Sequence, residues 1–147
     1  MKRLFKTLLF FILLAVLSGC KSEMVISHGS SFGHCRGFCN KELKLMEKKT
    51  RFSTWENGGA GVKNVLEVTT LGSDFDKISS QIDEESFKNL KSTYGCPDCA
   101  DGGAEWIEIK IGSNTKRVTF EYGNPPEELK PLNDHLRSIQ QQYDKSK

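Results

Sequence analysis

The stretch from Glu105 to Tyr122 constrains this chain most. Ile107, Ile109 and Ile111 fall on one side of an alternating run, and Trp106, Glu108 and Lys110 on the other. After Gly112-Ser113-Asn114 the chain returns with Val118, Phe120 and Tyr122 on one side and Arg117, Thr119 and Glu121 on the other. Successive strand residues point to opposite faces, so a period of two in both arms of a short turn predicts a hairpin with one buried face. A lone hairpin cannot hide that face. It needs further strands and a covering layer.

The rest of the chain supplies both. Asn40–Met46, Arg51–Trp55 and Val62–Leu71 are rich in strand formers and are divided by turn residues such as Asn57-Gly58-Gly59. Met24, Val25 and Ile26 suit a first edge strand. Asp83 followed by Glu84 and Glu85 reads as a helix N-cap and acidic first turn. Phe87, Leu90 and Tyr94 give that helix an apolar stripe, and Gly95 ends it. Beyond Pro125 and Pro126, a second stripe of Leu129, Leu132, Leu136, Ile139 and Tyr143 predicts a terminal helix. The expectation is a single α+β domain, an antiparallel sheet of five to six strands with two helices on one face.

The first residues bear on location. Lys2, Arg3 and Lys6 precede the apolar run Leu8–Leu17, and Leu17-Ser18-Gly19-Cys20 follows. A charged start, a short apolar core and a small-residue site make a secretory signal, and the run is too short to span a bilayer. The tetrapeptide resembles the bacterial lipobox. That resemblance implies cleavage after Gly19, a lipid on Cys20 and a partner in the lipid bilayer. The chain then divides into a signal peptide over 1–19, a lipidated cysteine and tether over 20–33, and the domain over 34–147. Lys21 is not the aspartate that retains enteric lipoproteins at the inner membrane, so the expected address is the cell envelope, at the outer membrane. The whole chain has 21 Lys+Arg and 19 Asp+Glu. Three of those bases lie in the signal, which leaves 18 against 19 and no basic field for nucleic acid.

With Cys20 set aside, Cys35, Cys39, Cys96 and Cys99 remain, an even number in an exported chain, which points to disulfides. Cys96-Pro97-Asp98-Cys99 carries proline where a type I turn favours it, and such a turn brings its ends within disulfide range. Local bridges would contribute about 2 kcal/mol each by loop entropy. Crossed bridges joining the two pairs would contribute about 4 kcal/mol each. Spacing alone leaves both pairings open. A second reading makes the four cysteines a soft zinc or copper site, with His28 and His34 nearby. A third makes Cys96 and Cys99 a redox dithiol, which Asp98 and Asp101 disfavour by opposing a thiolate. Asp98, Asp101 and Glu105 could hold a hard cation, although they lack the EF-hand spacing. Gly29-Ser30-Ser31-Phe32-Gly33 matches the G-x-S-x-G of serine hydrolases, but without the strand and helix context it reads as a flexible loop. Trp106 is a candidate contact residue on the sheet, and His135 a helix-surface residue. No catalytic triad or phosphate loop is present in the sequence, so the expected activity is binding and not catalysis, with an envelope protein or ligand as the partner.

Cys35-Arg36-Gly37-Phe38-Cys39, followed by two β runs, resembles a family of uncharacterised bacterial envelope proteins in which a C-x-G-x-C-Pro motif opens a small α+β domain. Asn40 stands where that family has proline. The segment from Cys96 to Trp106 is similar to one found in uncharacterised lipoproteins. Both resemblances imply a fold and a location, and neither implies an activity.

Overall fold

The computed structural model describes residues 22–58, 64–69 and 73–144. The proposed signal peptide and Cys20 lie outside the described residues. In chain order the elements are β1 (Met24–Ser31), β2 (Asn40–Met46), β3 (Lys49–Trp55), β4 (Asn64–Thr69), α1 (Ser73–Ser79), α2 (Glu84–Asn89), β5 (Thr93–Tyr94), β6 (Ala104–Ile111), β7 (Asn114–Glu121) and α3 (Lys130–Asp144). The strands form one sheet in the order β4-β3-β2-β1-β6-β7-β5.

The α+β class stands, but the architecture differs from expectation. Among the described residues the sheet has seven strands and not five or six, and three helices and not two accompany it. It is also mixed, because β5 runs parallel to β7 while the other pairs are antiparallel. Two local causes account for the extra elements. The helix expected to reach Gly95 ends at Asn89, because Leu90 is extended (φ −62°, ψ 150°). Tyr94 therefore pairs with Phe120 as a strand residue. Helix α1 has seven residues and buries Phe75 and Ile78, too few apolar positions to make a stripe. Asp83 does cap α2: its carboxylate accepts from the backbone N–H groups of Glu85 and Ser86.

The sheet is built outward from β1. This strand was expected at an edge and within a tether, yet it lies between β2 and β6. Gly29, Ser30 and Ser31, read as part of a flexible loop, belong to it. Gly29 explains why polar, small residues can occupy a central strand. A Cβ there would stand 2.2 Å from the Trp106 ring and 2.8 Å from the Lys41 carbonyl oxygen. Only glycine leaves room for that indole.

One face of the sheet meets the helices. Ile26, Leu43, Leu45, Ile107, Ile109, Val118 and Phe120 form a single core with Phe75, Ile78, Phe87, Leu132, Leu136 and Ile139. The hairpin register places Ile107 opposite Val118, as the alternation requires. The other face is largely a charged surface, with Arg117 2.9 Å from Glu108 and Lys44 3.2 Å from Glu42. Among the described residues no helix is long and apolar enough to cross a membrane.

Candidate functional site

The period of two that buries Ile107 and Ile109 also buries Glu105, two residues earlier on the same face. A carboxylate under a helix must be paired. Cross-strand register brings Lys41, Ser30, Glu105 and Phe120 into one row, and His28 into the next row diagonally from Glu105. Glu105 is fully buried, and His28 Nε2 lies 2.8 Å from its Oε1. An ionised carboxylate only accepts, so the shared proton belongs to Nε2. From α3, Arg137 donates through Nη2 to Oε2 at 2.6 Å and through Nε to Oε1 at 3.2 Å. The Gly123 N–H donates to Oε2 at 3.0 Å. Burial pushes the Glu105 carboxyl up, but the His28 bond, the Gly123 N–H and the charges of His28 and Arg137 outweigh it and hold the group below its ordinary range.

A cavity of about 190 Å³ opens beside this cluster. Glu105, Arg137 and Gln140 line it, together with Phe32 and Tyr122, whose rings meet edge to face at 4.7 Å. The Arg137 guanidinium lies 4.9 Å from the Tyr122 ring centre, so the same side chain clamps the carboxylate and stacks on the aromatic wall. Lys41 and Asp144 form an ion pair that also lines the cavity.

The cysteine loops border this end of the sheet. The bridges are local: Cys35–Cys39 with Cα atoms 5.6 Å apart, and Cys96–Cys99 at 5.4 Å. The Cys99 N–H donates to the Cys96 carbonyl, but Asp98 has φ 62°, so the turn is of the left-handed type II kind and not the type I expected. As disulfides, the four sulfurs offer no thiolate to a metal. The two loops are joined to each other. Gly33 N–H donates to Asp98 Oδ1 at 3.3 Å, and His34 Nδ1 lies 2.6 Å from Asp101 Oδ1. Asn57 holds the first loop through Nδ2 to the Phe32 and Gly33 carbonyls, at 2.7 and 2.8 Å. Glu121 holds the second by accepting from the Cys96 N–H at 2.8 Å, which with Asn124 lowers the Glu121 pKa.

The residues singled out from sequence therefore divide. His28 and Glu105 come together in the core, and His34, Asp98 and Asp101 come together on the surface. Among the described residues no group of three or more His, Cys, Asp or Glu side chains is placed to hold a metal ion. Trp106, expected on a contact surface, is buried against Gly29, with Arg117 5.1 Å above its ring. His135 lies on the helix surface and takes a 2.9 Å contact with Gln81. Sequence reading missed Arg137, Gln140, Lys41, Phe32 and Tyr122. Besides His28, singled out as a metal candidate, the signal that bore on the site was Glu105, two residues before Ile107 in the alternation. A charge on an apolar face asks for a partner on the covering helix.

No protein-family model matches the chain, and no curated protein matches it.

Proposed function

We propose that this chain is a lipid-anchored protein of the bacterial cell envelope that acts as a non-enzymatic binding module. The observation that carries the reading is the pair of local disulfides in exposed loops, which persist in oxidising compartments and not in a reduced cytosol. The lipobox-like Leu17-Ser18-Gly19-Cys20 supports the anchor, and several acyl chains on Cys20 would hold it durably. Lys21 favours the outer membrane. The resemblance of Cys35–Cys39 to envelope proteins points the same way. Asn57 and Cys39 hydrogen-bond the backbone of Phe32 on the cavity wall, an arrangement that suits recognition of a partner with little ordering cost.

The test is metabolic labelling with alkynyl palmitate in a bacterium expressing the full chain, followed by intact mass without chelator or reductant. Label on the wild type, none on Cys20→Ala, and a mass lighter by the hydrogens of four thiols support the reading. An unlabelled chain would sink the anchor. Free thiols with bound zinc or copper would replace the binding module with a metal-handling protein.

A further inference from the structure

We infer that the cavity beside Glu105 binds a small uncharged polyol, a single sugar ring in size and chemistry. The inference rests on the binding-module reading and supplies its ligand class. Its first support is an unspent donor. Gln140 lines the cavity, is only 6% exposed, and its Nε2 has no hydrogen-bond partner among the described residues. A buried amide left unbonded is costly, so the position calls for an acceptor atom. Arg137 uses Nε and Nη2 on Glu105, which leaves its Nη1 edge for a further acceptor.

The second support is charge. The cavity is lined by two cations and two carboxylates, and they pair as Lys41 with Asp144 and Arg137 with Glu105. An entering ion would find its charge uncompensated and would lose its hydration. A hydroxyl donates and accepts at once, so it can meet the amide, the guanidinium edge and a carboxylate with the same group. The third support is shape. Phe32 and Tyr122 give one wall an apolar surface suited to the C–H face of a ring. The volume of about 190 Å³ is well below the roughly 300–1,000 Å³ of sites for drug-sized ligands, so one ring fits and an extended chain does not.

The experiment is saturation-transfer difference NMR on the full lipidated chain in sugar-free detergent micelles. The probes are methyl β-glucoside and N-acetylglucosamine, with sodium acetate as the ionic comparator. The wild type should transfer saturation to at least one sugar and not to acetate. Gln140→Met, which keeps the shape and removes the amide, should weaken sugar binding by about tenfold. Tyr122→Leu, at an exposed wall position, should weaken it too and serves as the test if Gln140→Met melts early. No transfer to either sugar, equal transfer in wild type and both variants, or stronger transfer to acetate would overturn the inference. Palmitate labelling of the same preparation separates the two readings. Label without sugar binding removes the polyol and leaves the envelope module, whereas sugar binding without label does the reverse.

Discussion

Among the described residues are two histidine–carboxylate pairs of nearly equal length, and they differ in almost everything else. His28 and Glu105 are 2.8 Å apart with side chains 1% and 0% exposed. His34 and Asp101 are 2.6 Å apart with side chains 82% and 59% exposed. The shorter pair lies in water, where screening and the entropy of holding two side chains leave little net gain. The longer one lies under a helix, where an unpaired charge would be costly and two further donors complete the carboxylate's shell. Distance alone does not rank such pairs. Burial and the number of groups that depend on the contact do.

The largest effect should follow from removing Arg137. Arg137→Met keeps the stem over Tyr122 and leaves Glu105 buried with its main counter-charge gone. Breaking a buried pair in this way costs about 3–5 kcal/mol, which urea denaturation would show as a lower midpoint at an unchanged slope. A loss under about 1 kcal/mol would mean that water already reaches the carboxylate.

A smaller effect should come from the bridge that shapes the exposed pair's loop. Replacing Cys96 and Cys99 together by serine should cost about 2 kcal/mol, the value for so short a closed loop. Because the bridge is local, the core should still melt cooperatively. Loss of cooperativity would show that the loop organises more of the sheet than its own turn.

Acid should separate the pairs by sign. Glu105 is held below its ordinary range when folded, so the stability it lends is complete above the unfolded carboxylate pKa and disappears as pH falls through the depressed folded value. The His34 pKa is raised, first by its hydrogen bond to Asp101 and then by that residue's charge. Its contribution is complete below the ordinary histidine value and fades as pH rises through the raised one. Denaturation from pH 7 downward should therefore show a strong loss in the acid range that Arg137→Met makes shallower. A loss of the same slope in both proteins would place the acid sensitivity elsewhere. The smallest effect is expected of His34→Ala, which should leave Tm unchanged within error. A clear drop in Tm would show that the exposed pair bears on the fold.

The same contrast explains what could be read from the chain. The hairpin was legible because both of its arms alternate and one face is plainly apolar. The terminal helix was legible because Leu129, Leu132, Leu136 and Ile139 recur at helical spacing, and all four are buried. Strand β1 was not legible as a central strand, because Ser27, His28, Gly29 and Ser30 are small or polar, and their burial comes from the strands on either side and, on the core face, from α3. Strand β5 has two residues and depends on β7 for its existence. The site was half legible. His28 and Glu105 stood out by residue type, as metal candidates, but their meeting depends on the register of β1 against β6, 77 positions apart in sequence. Arg137 and Gln140 read as ordinary polar residues beside an apolar stripe, and only the packing of α3 on the sheet brings them to the carboxylate. Trp106 lies on the expected polar face, but the bare surface of Gly29 lets the ring fold down and disappear from it.

The most direct measurement is a double-mutant cycle on Glu105→Gln and Arg137→Met, read by urea denaturation at pH 7. If Arg137 holds a buried charged carboxylate, the two losses will not add, and the coupling will be about 2–3 kcal/mol. Losses that add to within about 0.5 kcal/mol would mean that the two side chains act independently, and would contradict the view that this ion pair frames the cavity.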